Sequence, residues 1–294
     1  MKHWLEYILV RAVAAVMSLL PMAAVRACGV WVGRAAFLLD RRHRRIAFDN
    51  LSAAFPARPE IERRALVRAV FEHFGSVLLE LLRFGGYTPD EMLAAVEFEG
   101  ADRVIAAMQQ GKGVFFFTGH FGYWETHAIV HALRFQPVSI LVRPLDNPEL
   151  HTLLERTRTM TGNTVIYRQG AVRKMLQDLA GNRGIAVLID QHLHAPDVVR
   201  VDFFQRPAAT TSALAALALR TGAAAIPVFA LPLPGGRYRL IYEHPVAPPP
   251  ADSPDAIREF TQRCTDVLEM YVRRHPEKWL WMHRRWREVP KDGA

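Results

Sequence analysis

From about Phe98 onward, short apolar runs rich in branched and aromatic residues alternate with stretches of helical spacing. Strands separated by helices pack side by side in a parallel sheet with the helices on its faces, so the alternation predicts an α/β fold. We expect a central, mostly parallel sheet with flanking helices. The predicted strands are 114–118, 139–143, 164–168, 185–190, 199–204, 225–231 and 237–244. The predicted helices are 123–133, 148–161, 171–180, 210–221 and about 255–275.

The N-terminal 45 residues contain two apolar runs, 7–20 and 22–39, separated by Pro21. The first run is shorter than the roughly 20 residues that cross a bilayer, and it contains Arg11. A weakly charged start and the lack of a small-residue cleavage site argue against a removed signal peptide. We expect an uncleaved membrane anchor, either a tilted span or a helix pair bent at Pro21. A buried helical pair followed by a solvated basic turn is the alternative.

A basic cluster, Asp40-Arg41-Arg42-His43-Arg44-Arg45, follows these runs directly. Basic residues beside an apolar segment mark the cytoplasmic side of a membrane and attract anionic lipid. The next stretch, 46–82, has helical spacing and stops at Gly85-Gly86. The sequence therefore divides into membrane-anchor helices with a basic flank (1–45) and an α/β domain (46–294), whose first part (46–95) is a helical lead-in.

The formal net charge of +8 over 294 residues suits nucleic acid, anionic lipid headgroups or an acidic protein partner. The basic residues are scattered or lie beside the apolar segment, and no nucleic-acid recognition motif accompanies them, so we expect no nucleic-acid partner. The chain contains two cysteines, Cys28 and Cys264, in no metal-type spacing. This predicts a reduced chain without a disulfide framework.

The strongest candidate for chemistry is the segment Gly119-His120-Phe121-Gly122-Tyr123-Trp124-Glu125, which follows a predicted strand and opens a predicted helix. His120 and Glu125 can meet only if His120 lies on the turn before the helix, and the two glycines permit such a turn. Glu125 would then hold one imidazole nitrogen, and the other nitrogen would take a proton from a hydroxyl. No G-x-S-x-G elbow is present, which favours direct transfer. A purely structural histidine is the alternative.

Several polar residues stand at other predicted strand ends, where sites gather in parallel sheets. Arg143 offers a planar fork of donors for a phosphate or an oxyanion, or it forms a surface ion pair. Asp190 ends an apolar strand and needs a partner if it is buried, for which Arg143 or Arg168 are candidates. Its alternative role is to cap a helix or turn.

Two further segments have two interpretations each. Arg206 to Thr211 is predicted as a loop into a helix that Thr210 caps, and such a helix start also suits an anionic group. Trp279 to Trp286 mixes basic residues and histidine with three tryptophans, which is typical of a membrane-interface belt or of core packing.

A metal site is a competing interpretation of the same region. His127 and His131 lie four residues apart on a predicted helix, and Glu125 or His192 would supply a third ligand. The glutamate that follows the first histidine in H-E-x-x-H sites is missing, so we expect no metal.

The segment Thr118 to Glu125 resembles the catalytic motif of the bacterial lipid A biosynthesis (lauroyl/myristoyl) acyltransferases, which belong to the lysophospholipid acyltransferase-like superfamily. The hallmark of that superfamily is a histidine followed after four residues by an acidic residue. Four further blocks resemble the family in the same order: 44–56, 142–144, 190–191 with 203–210, and 276–286. Two departures concern the acceptor pocket: Gln205 stands where the family usually carries glycine, and His192-Leu193-His194 replaces an acidic run.

The resemblance implies a glycerolipid acyltransferase-like α/β fold and an O-acyltransferase. It would move a fatty acyl chain from a thioester, on acyl carrier protein or coenzyme A, to a hydroxyl of a membrane lipid such as a lipid A precursor or related glycolipid. His120 would act as general base and Glu125 would orient it, while a backbone amide or Arg143 would stabilise the oxyanion. The resemblance implies no cofactor.

The remaining residues predicted to bind substrate are Asp190, Gln191, Arg206 and Thr210, which lie in the blocks that resemble the family, and Arg168, which lies outside them. The enzyme would lie at the inner (cytoplasmic) membrane with its catalytic domain on the cytoplasmic side. A hydrolase that uses the same residues, and a non-catalytic lipid-binding module, are the alternative functions.

Overall fold

The computed structural model describes residues 2–192 and 198–286, so His194 lies outside the described residues. Eleven α-helices and nine β-strands occur in this part of the chain. The helices are α1 (Lys2–Ser18), α2 (Met22–Leu39), α3 (Arg41–Ala54), α4 (Glu60–Phe84), α5 (Pro89–Ala94), α6 (Ala101–Gln109), α7 (Trp124–Arg134), α8 (Pro148–Thr159), α9 (Ala171–Ala180), α10 (Ala213–Thr221) and α11 (Ala256–Arg274). The strands are β1 (Val96–Glu99), β2 (Val114–Thr118), β3 (Val138–Val142), β4 (Thr164–Tyr167), β5 (Gly184–Leu188), β6 (Val198–Asp202), β7 (Pro207–Thr211), β8 (Ala224–Pro232) and β9 (Tyr238–Tyr242).

Seven strands form one sheet in the order β1-β9-β8-β2-β5-β3-β4. The strands from β8 to β4 in this order run parallel, whereas β9 is antiparallel to β8 and carries β1 parallel to itself. All five residues of β2 are buried, as expected for a central parallel strand covered by helices on both faces. Strands β6 and β7 form a separate antiparallel pair. The predicted mostly parallel sheet with flanking helices is confirmed.

The differences from the predicted elements lie in their boundaries and in the short segments. The predicted helix 46–82 is two helices, α3 and α4, because Pro56 and Pro59 separate them. The elements α5, β1 and α6 were not predicted. The prediction that 206–211 is a loop into a helix capped by Thr210 is wrong, because Thr210 lies in strand β7 and α10 begins at Ala213.

The N-terminal apolar runs form α1 and α2, which are separated near Pro21 as predicted. Of the helices in the described ranges, α2 alone is long and apolar enough to cross a membrane. Its basic residues face the protein: Arg26 pairs with Glu80 at 2.9 Å and Arg34 pairs with Glu72 at 2.8 Å, both on α4. Large apolar side chains such as Trp31 remain exposed on its outer side.

Helices α2 and α4 approach at backbone contact through glycines. A Cβ atom at Gly75 would lie 2.2 Å from the carbonyl oxygen of Gly29 and 2.6 Å from the nitrogen of Gly33. Only residues without a side chain permit such an approach, so α2 is fixed against the helical lead-in at a defined position.

We predict that Gly75→Ala lowers the free energy of unfolding by about 1–3 kcal/mol, because the added methyl group forces the two helix backbones apart. Chemical unfolding of the full chain in one detergent measures this loss. Ala27→Val, on the exposed side of α2, is the matched control and should change stability by less than about 0.5 kcal/mol. Equal stability of the two variants would contradict the close packing.

Candidate functional site

A tight turn connects the end of β2 to α7 and carries His120. Its shape depends on two glycines. A Cβ atom at Gly119 would lie 2.9 Å from the Asp190 carboxylate. Gly122 has a φ of +57° and packs on strand β8, where a Cβ atom would lie 2.0 Å from the carbonyl oxygen of Ala230. The turn can therefore press His120 against the carboxyl end of the neighbouring strand.

His120 contacts Asp190, which lies just beyond the end of β5. Strands β2 and β5 are parallel neighbours with Thr118 opposite Leu188, so the residues two positions further on meet at the same edge of the sheet. The backbone N–H of His120 donates to Oδ2 of Asp190 at 2.7 Å, and its Nδ1 lies 2.9 Å from Oδ1. Because an ionised carboxylate only accepts hydrogen bonds, Nδ1 carries the proton and Nε2 is left as the basic nitrogen.

The Asp190 side chain is fully buried, and its environment keeps it charged. Burial alone would raise its pKa, but the charge and hydrogen bonds of His120 outweigh burial and lower the pKa. For His120, burial opposes protonation, and the Asp190 carboxylate outweighs it and raises the pKa of the imidazole. The pair therefore has the histidine–carboxylate arrangement that stabilises a protonated histidine during general-base catalysis.

The second nitrogen of His120 points towards the exposed side chain of Gln191, whose Nε2 lies 3.3 Å from the imidazole Nε2. The His120 side chain is 14% exposed, so this nitrogen is reached from a partly open face. The indole ring of Trp124 covers another side of the imidazole at a centroid distance of 5.4 Å. A hydroxyl that replaced the Gln191 amide would meet a basic nitrogen.

Glu125 lies in the first turn of α7, but Asp190 occupies the position on Nδ1 that was predicted for Glu125. Both Glu125 oxygens accept hydrogen bonds from Arg158 of α8, one of them from Nε at 2.8 Å. The two charges have opposite effects on the pKa of His120: Glu125 raises it and Arg158 lowers it. Sequence reasoning missed Arg158, which lies within an ordinary helical pattern.

The C-terminal segment forms a wall of the site. The N–H of Gly122 donates to the carbonyl of Lys278 and the N–H of Leu280 donates to the carbonyl of His120, so the segment runs antiparallel along the turn. The Trp279 indole donates to Oδ2 of Asp190 at 2.8 Å. Trp279 and Trp281 are completely buried. The structure thus assigns these tryptophans to the core, and the alternative of an interfacial belt is wrong for them.

Further residues of the separated sequence blocks bind this wall. The amide of Asn50 in α3 donates to the carbonyls of Trp281 and His283, at 2.8 and 2.7 Å. The buried guanidinium of Arg285 donates to the carbonyl of Ala209 and to the hydroxyl of Thr210, which is fully buried. Thr210 therefore holds strand β7 to the C-terminal segment.

The remaining predicted binding residues lie at the surface. Arg143, which is 87% exposed, comes within 3.9 Å of Asp146 and is not the partner of Asp190. Arg168 is also exposed, at the end of the neighbouring strand. Arg206 is exposed and lies over the Trp286 ring at 5.6 Å. Gln205 has a φ of +58°, which explains why glycine suits this position.

The two histidines of the metal alternative lie in the core on α7. His131 lies within 2.9 Å of the Tyr242 hydroxyl, and burial lowers the pKa of both His127 and His131 to about 3. In the described ranges, no group of three or more histidine, cysteine or acidic side chains is arranged to hold a metal ion.

Comparison with known proteins gives one family match and several relatives. The family described as bacterial lipid A biosynthesis acyltransferase matches residues 1–288. The lipid A biosynthesis lauroyltransferase of Escherichia coli (strain K12) is 26% identical over 293 residues, which is 99% of this chain and 94% of the relative. The myristoyltransferase of the same organism is 25% identical, covering 85% of this chain and 77% of the relative. Its palmitoleoyltransferase is 26% identical, covering 92% and 87%.

We predict that Asp190→Asn lowers the pKa of His120, because the carboxylate that favours the imidazolium is lost while burial, which disfavours it, remains. Titration of the ¹⁵N-labelled histidine followed by NMR measures the shift. Asp178→Asn is the control: Asp178 is also buried, but it bonds to Ser139 and Lys174, and its loss should leave His120 unchanged. An unchanged His120 pKa in Asp190→Asn would contradict the coupling of the pair.

Proposed function

Because this chain belongs to the bacterial lipid A biosynthesis acyltransferases, which are O-acyltransferases, we propose that it moves a fatty acyl chain from a thioester to a hydroxyl of a lipid A precursor or a related glycolipid. The observation that carries this proposal is the pairing of His120 with a fully buried carboxylate, which leaves Nε2 basic and turned towards an exposed side chain. No serine nucleophile is required if the acceptor hydroxyl itself attacks.

His120 removes the proton of the acceptor hydroxyl at Nε2, and the resulting alkoxide attacks the carbonyl carbon of the thioester. Asp190 holds Nδ1 and stabilises the imidazolium that forms, as the carboxylate does in a serine-hydrolase triad. When the tetrahedral intermediate collapses, the C–S bond breaks and the imidazolium returns its proton to the thiolate. The products are an ester and a free thiol.

Glu125 acts beside this pair without touching Nδ1. Its charge favours the imidazolium, and its double hydrogen bond fixes the guanidinium of Arg158, whose charge acts on the imidazole. Charge develops on the thioester oxygen during attack, and preorganised donors stabilise such charge. Arg158 is better placed for this role than Arg143, which faces solvent at the end of β3.

The donor is proposed to be acyl carrier protein, with acyl-coenzyme A as the alternative thioester. The net charge of +8 supports an acidic protein donor, since opposite charge accelerates association. Arg143 and Arg168 are exposed at the ends of two paired strands, β3 and β4, and are available to the phosphate of a donor or a lipid. Gln191 and Arg206 are exposed residues proposed to contact the acceptor.

The location is proposed to be the cytoplasmic face of the inner membrane. The apolar helix α2 and the basic residues that follow it in Arg41 to Arg45 support this orientation. The outer surface of α1 adds exposed apolar side chains, including Trp4, Leu5 and Leu9. Residues 1–45 remain proposed as the anchor of the α/β domain.

We predict that His120→Ala lowers acyl transfer by about 10²–10⁴-fold, because a general base contributes this much, while the variant remains folded. The assay uses the purified full chain with acyl carrier protein or coenzyme A thioesters of several lengths, and mass spectrometry detects the acylated lipid. Free fatty acid formed at the same rate without lipid acceptor would identify a hydrolase instead. A folded and fully active His120→Ala variant would exclude the mechanism.

We predict that Glu125→Ala lowers transfer severely and that Arg158→Met does the same, because each leaves the other charge without its partner beside His120. The double variant Glu125→Ala/Arg158→Met should lose less than the product of the two single losses. Measured kcat values of the four proteins test this. Strictly multiplicative losses would show that the two residues act independently.

The acceptor is identified by mass spectrometry of membrane lipids from cells that lack this protein. Loss of one acyl chain from lipid A supports the proposed acceptor. An intact lipid A with a change in another glycolipid would leave acyl transfer in place and replace the acceptor.

A further inference from the structure

A buried charged cluster contacts the turn that carries His120 through Tyr123, whereas Asp190 contacts the turn through His120. Glu80 of α4 is 5% exposed. Its Oε1 accepts a hydrogen bond from the Tyr123 hydroxyl at 2.8 Å and another from Nε of Arg26 at 2.9 Å. Tyr123 is the last residue of the turn, and Arg26 belongs to α2, so one carboxylate oxygen joins the turn to the N-terminal helix.

Further contacts of the turn come from ring packing and from the backbone of the C-terminal segment. The ring of His73, also on α4, packs edge-on against the Tyr123 ring at a centroid distance of 5.8 Å, and the N–H of Gly122 donates to the carbonyl of Lys278 at 2.9 Å. The Tyr123 ring stacks on Tyr238 of β9 at a centroid distance of 5.5 Å. The turn is thus held by α4 on one side, and its other contacts come from the sheet and the C-terminal segment.

Arg26 extends the connection to a third element. Its remaining nitrogens donate to the carbonyls of Leu233 and Arg237, at 2.9 and 3.2 Å, in the loop between β8 and β9. A guanidinium presents several donors in a fixed plane, so it ties Glu80 and this loop into one arrangement. Helix α2 therefore contributes a side chain to the layer that backs the site.

We propose that Glu80 is a positioning residue for His120 and that Arg26 makes α2 part of the support of the active-site turn, in addition to any role of α2 as an anchor. This inference rests on the proposed function, since it takes His120 as the base. Its physical content is geometric: Tyr123 is three residues from His120, and a displacement of about 1 Å at a reacting group can lower a rate by 10²-fold.

A role limited to stability is the competing explanation, and the chain provides a control for it. Glu72 lies on the same helix eight residues earlier and pairs with Arg34 of α2 at 2.8 Å. Its carboxylate bonds to Arg34 and Arg68 and not to the turn. The two pairs join the same two helices, and only the Glu80 pair reaches the turn.

The test compares kcat, KM and thermal unfolding in Tyr123→Phe, Glu80→Gln and Glu72→Gln, each in the full chain in one detergent with acyl carrier protein thioester and lipid acceptor. Positioning predicts that Tyr123→Phe and Glu80→Gln lower kcat about tenfold while KM for either substrate stays within about twofold. Glu72→Gln should lose comparable thermal stability and keep its kcat within about twofold of the unchanged protein.

The double variant Tyr123→Phe/Glu80→Gln should be no slower than the slower single variant, because both changes break one connection. Multiplicative losses, or equal kcat losses in Glu72→Gln and Glu80→Gln, would overturn the inference. If Glu80→Gln does not fold, Tyr123→Phe, which removes a single hydroxyl, still tests the positioning role. An unchanged kcat of Tyr123→Phe overturns that role.

Two outcomes separate the positioning role of Glu80 and Tyr123 from the catalytic role of His120. An inactive His120→Ala together with fully active Tyr123→Phe and Glu80→Gln variants would remove the positioning role and leave the mechanism. An active His120→Ala would remove the mechanism itself.

Discussion

The site is organised around the charge of Asp190, a carboxylate without exposure to solvent. A buried carboxylate is stable only if hydrogen-bond donors replace the water it has lost, and here the donors come from distant parts of the chain. His120 contributes its backbone N–H and its ring, and Trp279 contributes its indole. The ends of β2 and β5 and the C-terminal segment are therefore fixed relative to one another by one charged group.

This requirement explains why sequence blocks far apart in the chain belong together. The segment after α11 provides Trp279 and pairs with the turn at Gly122, and Asn50 of α3 donates hydrogen bonds to two carbonyls of the same segment. Arg285 joins it to β7 through Thr210. These blocks supply hydrogen bonds to one another, whereas Arg143 of the block 142–144 lies at the surface.

The parallel sheet and the position of His120 at a strand end could be predicted, because apolar runs and glycines report on local structure. The carboxylate that contacts His120 could not. The spacing to Glu125 is visible in the sequence, whereas the proximity of Asp190 depends on β2 and β5 being neighbours in register, which only the folded sheet determines.

Strand β7 was missed for a related reason: its short run of alanine and threonine is typical of a strand only when it is paired with β6. The structure resolves the two interpretations of Trp279 because that choice depends on burial, which periodicity does not reveal.

The inward-facing ion pairs of α2 change how its composition should be judged. A count along the sequence assigns this helix two arginines, a penalty for contact with hydrocarbon. In the folded chain Arg26 pairs with Glu80 and Arg34 pairs with Glu72, and the exposed side carries alanine, tryptophan and leucine. Both arginines of α2 thus have an acidic partner on α4, and the side chains exposed along α2 form a surface more hydrophobic than the helix sequence suggests.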